Sequence, residues 1–236
     1  MRIGKKMKSL IRNIAICALL GTAIRADAAI TVGVDPAANW IGYMNVSNLP
    51  ADGGGYQFGS PWGTADLNAS FSGPTLTLTP NTINPPTGLA DSYWYKPDGT
   101  GNKTMDANFY VEDSVSLPGQ LLNFTGDMLA NTLVSPYTSK AFIKDFAPDY
   151  SSSNAVSADL VNGVFNISLQ TVAAGHHIQY GFETIGPNVW STDVASKGFV
   201  NVTAVKSTPP VPEPSTVALL ASSALGLLGL RRNRKA

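Results

Sequence analysis

Few residues of this chain could act as a nucleophile, a base or a metal ligand. His176 and His177 are its two histidines, and they are adjacent. Because neighbouring residues on a strand point to opposite faces, they are poorly placed to share a metal ion. The nearest match to a Gly-x-Ser-x-Gly nucleophile turn, residues 58–63, carries Pro61 and is predicted to be a loop. We interpret the histidines as a half-exposed pair, and a Ser-His-Asp site stays an open alternative.

Acidic residues provide a second candidate chemistry. Glu112-Asp113, Asp145, Asp149 and Glu183 lie at the ends of apparent strands, where paired carboxyl groups could hydrolyse a glycoside. Aspartate is also abundant in turns for backbone reasons, so such pairs arise by chance. We assign no catalytic residue and predict that the protein is not an enzyme; the alternative is a secreted polysaccharide-active hydrolase. Calcium is a more plausible use of these loops, but no Asp-x-Asp-x-Asp loop is present, so no metal site is assigned.

Aromatic residues are the remaining candidates, because a flat ring offers amphipathic area to the face of a sugar. Tyr93 and Tyr95 are expected to share one face of an extended segment, with Trp94 on the other. The competing interpretation is that Trp94 belongs to the core and the tyrosines flank it. Trp40 and Tyr110 are expected in the core. The predicted glycan-binding residues are Trp62, Tyr93, Trp94 and Tyr95.

Short runs of alternating apolar and polar residues predict the elements that position these side chains. Such strands, interrupted by Gly, Pro and Asn, indicate an all-β antiparallel sandwich. We find no long stretch with the apolar period of a helix. By length, residues 29–207 form one domain. Its predicted strands are 40–46, 75–79, 104–111, 122–128, 141–146, 165–170, 177–183 and 198–205.

The charge of this domain excludes some partners. Residues 29–210 contain six lysines, no arginine and fourteen acids, a net charge of −8. An acidic, arginine-free domain argues against nucleic acid and against an anionic membrane surface. Cys17, the single cysteine, lies before this domain, so no disulfide can stabilise it. This composition suits a soluble extracellular protein whose partners are calcium or neutral sugars.

Both ends of the chain have the pattern of targeting segments. Residues 1–28 combine a basic start, an apolar run over 14–24 and an Ala26-Asp27-Ala28 cleavage site, which indicates a secretory signal peptide. Its expected partners are the Sec translocon and signal peptidase. Residues 208–215 form a Pro-rich linker. Residues 216–236 are predicted to be a C-terminal transmembrane helix with a basic tail, which should stay on the cytoplasmic side.

The C-terminal pattern resembles the PEP-CTERM sorting signal of Gram-negative bacteria. It carries a Pro-Glu-Pro element, a short apolar helix and an Arg-rich end, in that order, over 211–235. The resemblance implies export, transient anchoring in the inner membrane and recognition by a membrane-embedded exosortase. It also implies a final place at the cell surface or in an exopolysaccharide matrix. The residues concerned are the sorting motif Pro212, Glu213 and Pro214 and the basic cluster Arg231, Arg232, Arg234 and Lys235.

A second resemblance concerns the domain itself. The order of apparent strands between 109 and 202 looks like that of jelly-roll carbohydrate-binding modules, with an aromatic-Glu strand ending, a Gly turn, a Trp and a closing strand. The implied fold is a jelly-roll-like sandwich. The sequence therefore predicts an exported protein with a structural, adhesive or carbohydrate-binding β domain, with exopolysaccharide as a candidate partner. A purely structural surface-layer protein that self-associates is a third class.

Overall fold

The computed structural model describes residues 29–172 and 174–205, which form two six-stranded β-sheets. The predicted signal peptide with Ala26 and Ala28, the whole linker with the sorting motif, and the C-terminal helix with its basic cluster lie outside these residues. Within the described part, no helix is long and apolar enough to cross a membrane. The helical elements there are 3-10 turns at Pro50–Asp52, Gly88–Ala90 and Val194–Lys197.

Twelve strands follow one another along the described chain. They are β1 (Ile30–Val32), β2 (Ile41–Asn48), β3 (Tyr56–Trp62), β4 (Ala69–Ser72), β5 (Thr75–Leu78), β6 (Lys103–Asp113), β7 (Leu121–Asn131), β8 (Thr138–Phe146), β9 (Ser153–Asp159), β10 (Gly163–Gln170), β11 (His177–Pro187) and β12 (Val200–Thr203).

Consecutive strands from β5 onward mostly alternate between two sheets. The front sheet has the order β3-β2-β6-β11-β8-β9, and every pair in it is antiparallel. The back sheet has the order β4-β5-β12-β7, with β10 on the other side of β7. β1 pairs with the start of β7 in parallel, so the prediction of a purely antiparallel sandwich is wrong at that one position. The all-β two-sheet architecture is confirmed.

An aromatic core joins the sheets. Phe182 on the front sheet is fully buried and lies within 5.3 Å of the Phe124 ring and 6.0 Å of the Phe165 ring on the back sheet. Trp40 stacks on Phe109 at 4.6 Å. The described domain contains no cysteine that could form a disulfide. Burial of these apolar side chains is therefore the main contribution to its stability. The core follows from the alternation read in the sequence, since inward positions are apolar.

All eight predicted strands are present, and four more were missed. The largest error concerns residues 58–63, predicted as a loop, because residues 58–62 lie in β3. Pro61 is tolerated there because β3 is an edge strand that pairs with β2 alone among the described residues. Gly59 leaves room for two tyrosines, because a Cβ atom there would lie 2.6 Å from the Tyr56 hydroxyl and 2.8 Å from the Tyr43 ring.

Candidate ligand groove on the front sheet

The outer face of the front sheet carries the polar side chains of β6. Met105, Ala107 and Phe109 point into the core, so Asp106, Asn108, Tyr110 and Glu112 point outward. The register places residues from strands distant in sequence beside them. Residues directly opposite one another across β2, β6, β11 and β8 form rows on the outer face. These rows are Tyr43–Asn108–Glu183, Ile41–Tyr110–Gly181–Phe142 and Glu112–Gln179–Lys144.

These rows form a groove with a volume of about 610 Å³. We call it the front groove. Its walls combine rings and apolar groups with amides and charged groups, the mixture expected of a site for an amphipathic ligand. The apolar and aromatic lining comprises Ile41, Tyr43, Pro61, Tyr110, Phe146 and Tyr150. The polar lining comprises Asn45, Asn108, Glu112, Lys144 and Gln179.

Tyr150 is held over one end of the groove by contacts with three side chains. Its φ is +57°, which is unusual for a bulky non-glycine residue. Its ring stacks on His177 at 4.3 Å, at 15° to the imidazole plane. Its ring also lies 5.5 Å from that of Phe146. Its hydroxyl donates to Glu112 Oε1 at 3.1 Å. Since Tyr150 is still 49% exposed, the arrangement fixes an aromatic ring in contact with solvent.

Glu112 is the centre of the hydrogen bonds at this end. Its Oε2 accepts from Gln179 Nε2 at 2.7 Å, and its Oε1 accepts from Tyr150. Partial burial, and then the bond to Glu112, raise the pKa of Tyr150 to about 12. Burial, and then the Glu112 charge, raise the pKa of Tyr110 to about 12. Both phenols are therefore protonated donors at neutral pH.

His177 supports the Tyr150 ring from below. Its Nε2 lies 3.3 Å from the carbonyl oxygen of Pro148, which can only accept, so Nε2 donates a hydrogen bond there. Its Nδ1 lies 2.8 Å from Ser114 Oγ. Glu112 Oε1 lies 3.6 Å from that same nitrogen. This differs from a Ser-His-acid triad, in which the hydroxyl and the carboxylate lie on opposite ring nitrogens.

A second polar cluster lies beside the groove. Lys144 Nζ donates to Asn108 Oδ1 at 2.7 Å and to Glu183 Oε2 at 3.4 Å, and it lies 4.1 Å above the centre of the Phe142 ring. Asp106 accepts from Asn108 at 2.9 Å and from Asn45 at 3.3 Å. Burial, and then the Glu183 charge, raise the pKa of Asp106. The cluster thus holds a lysine among two carboxyl groups and two amides.

His176 and Asp145 have a different role from His177. Asp145 is buried and accepts from His176 Nδ1 at 2.6 Å and from the Val172 amide at 2.7 Å. The two histidines therefore contact different groups, and of the two only His177 lies on a strand, as the first residue of β11. The described residues contain no group of three His, Cys, Asp or Glu side chains able to hold a metal ion. The expectation about calcium stays a prediction.

The aromatic residues predicted to bind glycans lie in several environments. Tyr93 and Trp94 are in a turn, and Tyr95 forms an isolated bridge with Gly101, so the prediction that Tyr93 and Tyr95 share one face of an extended segment is wrong. Tyr95 is 2% exposed and its hydroxyl donates to the Ile83 carbonyl. Trp94 packs partly on the core, and Tyr93 is 40% exposed. Trp62 packs partly on the core and also lines a hollow outside the front groove.

Most groove residues were missed in the sequence. Tyr110 was predicted in the core; it is buried, at 8% exposure, but on the outer face of the front sheet, where it lines the groove. Tyr43, Tyr150 and Gln179 were not considered as site residues. The available signal was the alternation of the strands, which already assigned Asn108 and Tyr110 to the face opposite Phe109. What was missing was the register that brings them together.

Comparisons with known proteins give two findings. A similar solved structure is TmCBM61 in complex with β-1,4-galactotriose, at 8% sequence identity. The match covers 73% of this chain and 86% of that one with a TM-score of 0.32, too low to support an argument about this chain. No curated protein matches the sequence. Residues 210–235 match the PEP-CTERM protein-sorting motif, as predicted from 211–235. The chain therefore carries a PEP-CTERM sorting signal, which implies export, processing by an exosortase and transient anchoring in the membrane.

Proposed function

We propose that the described domain is a non-catalytic carbohydrate-binding module and that its site is the front groove. Its ligand is a neutral polysaccharide, and the protein acts as an adhesive or structural component at the cell surface or in an exopolysaccharide matrix. This extends the sorting signal, which implies export but assigns no role to the domain.

Tyr150 is the observation that carries this proposal. One face of its ring is covered by His177, and the residue is still half exposed at the groove. Tyr150 closes the turn after β8, where its amide donates to the Ala147 carbonyl at 2.8 Å, and this turn accounts for its positive φ. The stack on His177 and the hydrogen bond to Glu112 hold the exposed ring where a sugar face could stack on it.

The polar groups suit hydroxyl groups as partners. Amide and carboxylate oxygens accept hydrogen bonds from hydroxyl groups, and amide, phenol and ammonium groups donate to them. The groove and its adjacent cluster contain Asp106, Glu112 and Glu183 but a single lysine, Lys144. Excess negative charge disfavours a polyanionic chain such as a polyuronate, so a neutral polymer is the better fit.

The strand order supports a jelly-roll arrangement for the domain. Strands β5 to β12 give the orders β5-β12-β7-β10 and β6-β11-β8-β9. This interleaving of eight strands in two sheets is the double Greek key of jelly rolls. β2 and β3 extend the front sheet beyond β6, and β4 extends the back sheet beyond β5. The fold is shared by proteins of many functions, so the role of the domain rests on the groove.

A polysaccharide hydrolase is the second candidate, and Asp106 is the observation in its favour. A carboxyl group with a raised pKa beside a second carboxylate, Glu183, is the pairing that glycoside hydrolysis uses. Against it, Asp106 already accepts hydrogen bonds from Asn45 and Asn108, and Glu183 from Lys144. We therefore favour binding without hydrolysis.

Screening on immobilised neutral polysaccharides tests the proposal. The full chain is purified in a detergent that has no sugar headgroup, and binding is measured with calcium and with chelator. We expect binding by the wild type and a loss of about fivefold or more in Tyr150→Ala, because an aromatic contact of this kind contributes roughly 1 kcal/mol or more. Release of reducing ends would instead establish the hydrolase.

Tyr93→Ala provides the matched comparison. Both tyrosines are partly exposed, at 49% and 40%, but Tyr93 lies in the 88–102 segment outside the groove. We expect Tyr93→Ala to bind as the wild type does. A loss in Tyr93→Ala alone would move the site to the aromatic turn predicted from the sequence. Absence of binding to every polysaccharide would remove the proposal and leave a structural coat protein.

A further inference from the structure

A second hollow lies beside the front groove at the edge of the front sheet. Pro61 on the edge strand β3 lines the groove, and it also lines a second hollow of about 480 Å³. We call this second space the edge hollow. Since β3 pairs only with β2 among the described residues, no described strand covers its outer side. Pro61 therefore separates two neighbouring spaces and lines both of them.

The edge hollow has the chemistry of the groove on a smaller scale. Trp62 supplies a ring, and its indole N–H donates to Ser60 Oγ at 3.0 Å, which fixes the ring orientation. Asp66 and Asn84 are exposed polar groups in the lining. The only charged side chain among the residues that line the edge hollow is the Asp66 carboxylate. A ring with uncharged amides and one acid again suits a neutral polyhydroxyl ligand.

The backbone around the hollow is fixed rather than loose. Asn68, another lining residue, has a φ of +52°, and its Nδ2 donates to the Pro80 carbonyl at 2.8 Å. The side-chain Nδ2 of Asn81, just before Thr82, donates to the Asp66 backbone carbonyl at 2.8 Å. These bonds tie the 63–68 turn to the 80–84 segment. The hollow is thus a preformed space between two linked segments, and little ordering is needed to fill it.

We propose that the edge hollow is a second subsite that continues the front groove, so that the protein binds an internal stretch of a linear polysaccharide. This inference rests on the proposed function of the groove. A chain that fills the groove can pass over Pro61 and place further sugar units beside Trp62. A site for a chain end would instead need a closed wall, and the described residues leave the path open at β3.

Two joined subsites make a clear prediction about ligand length. Once one part of a chain is bound in the groove, contact with the edge hollow becomes intramolecular and benefits from a high effective concentration. Affinity should therefore rise by at least about tenfold at the length that first reaches Trp62, and rise little before or after it. A single groove predicts a plateau as soon as the groove is full.

The test uses the full chain in a detergent without sugar headgroups. The probes are β-1,4-linked galacto-, gluco-, manno- and xylo-oligosaccharides of two to six units, with affinities measured by calorimetry. We expect a length-dependent step in the wild type. Trp62→Ala should abolish the step and leave the affinity for the shortest binding ligand unchanged. Because Trp62 packs partly on the core, the exposed Asp66→Ala is a second variant, and it should reduce the step.

The controls separate this inference from the proposed function. Val161→Ala, at a position 72% exposed and remote from both spaces, should keep the full length dependence. Binding that shows no step, or a step that survives both Trp62→Ala and Asp66→Ala, would overturn the edge subsite and leave the groove intact. If none of the oligosaccharides binds the wild type, the groove proposal and the subsite are both overturned.

Discussion

The outer faces of the two sheets are both polar, but their polar groups are organised differently. On the back sheet, short side chains pair directly across strands: Ser168 donates to Asn123 at 2.7 Å, and Thr77 donates to Asn201 at 2.8 Å. Each of these pairs occupies opposite positions in the register. On the front sheet, Lys144 and Tyr150 reach past their immediate neighbours to Asn108 and Glu112.

The difference shows how the same alternation of inward and outward residues can produce either a flat surface or a ligand-binding groove. Small residues that satisfy each other across adjacent strands form a flat face with no space for a ligand. The front sheet has long side chains, and Gly181 lies in the row between Tyr110 and Phe142. With no side chain at that position, the larger residues around it can enclose a groove. The shape of the face thus depends on side-chain length and on one glycine.

Removal of Phe182 should have the largest effect, because it is shared by both sheets. The side chain of Phe182 is fully buried and contacts Trp40 and Phe124 in the core. We expect Phe182→Ala to lower the free energy of unfolding by about 3–5 kcal/mol. Urea denaturation measures the loss, and Tyr56→Ala, at a 63% exposed position, should change it by less than about 0.5 kcal/mol.

Gly181→Ala should affect the front sheet selectively. A Cβ atom there would lie 2.2 Å from the Phe109 carbonyl oxygen and 2.6 Å from the Tyr110 Cα, and these backbone atoms cannot move aside. We expect a loss of stability of about 1–3 kcal/mol together with a loss of groove binding.

Gly126→Ala is the matched change on the back sheet. Its Cβ would meet the Phe165 ring at 2.6 Å, so it should cost stability but preserve glycan binding in the folded fraction. Thermal unfolding and calorimetry on both variants distinguish the two outcomes. Equal binding losses in both would show that the faces are not independent.

The strands could be predicted where inward and outward residues contrast strongly. β6, β7 and β11 carry large apolar residues at alternate positions, and all were found. β9 was missed because its sequence, Ser153–Asp159, offers only Val156 and Ala158 to the core. β3 was missed because Gly59 and Pro61 are turn residues in most contexts, and only its edge position permits them.

The groove could not be predicted because its residues meet only through long-range register. Gln179 and Glu112 are 67 positions apart, and their hydrogen bond requires β11 to pair with β6 in one alignment. Tyr150 comes from the turn after β8, and its positive φ has no signature in the sequence. By contrast, the sorting motif was predicted from the sequence because it is contiguous in the chain and is read without any fold.

The pH dependence of stability should change in Asp106→Asn. Burial and the Glu183 charge raise the pKa of Asp106 above its unfolded value of 3.8, and Lys144 opposes them. Between the two pKa values the folded state holds a proton that the unfolded state releases, so stability falls as pH rises through this window. The slope cannot exceed one proton, about 1.4 kcal/mol per pH unit. Asparagine stays neutral, so this decline should disappear in urea titrations from pH 3 to 7.

Asp113 offers the opposite sign as a control for that experiment. Although burial opposes it, hydrogen bonds from Ser116 and from the backbone amides of residues 115–117 lower the pKa of Asp113. Its contribution to stability is present above the unfolded pKa and is lost as pH falls through the folded pKa. Asp113→Asn should therefore reduce the loss of stability that occurs as pH falls, and it should leave in place the decline with rising pH that Asp106 causes. Parallel profiles for both variants would contradict the assignment.

The smallest expected effect is that of Ser168→Ala on the back sheet. Ser168 is exposed, and its hydrogen bond to Asn123 replaces bonds to water, so its loss should cost about 0.5 kcal/mol or less. Glycan binding should be unchanged, since this face has no part in the groove. Calorimetry with the polysaccharide found in the screen measures both the binding and its stoichiometry. A drop in affinity or in stoichiometry would show that the flat Asn, Ser and Thr face also contacts the glycan. The flat shape of the back sheet would then no longer distinguish it from the ligand-binding front sheet.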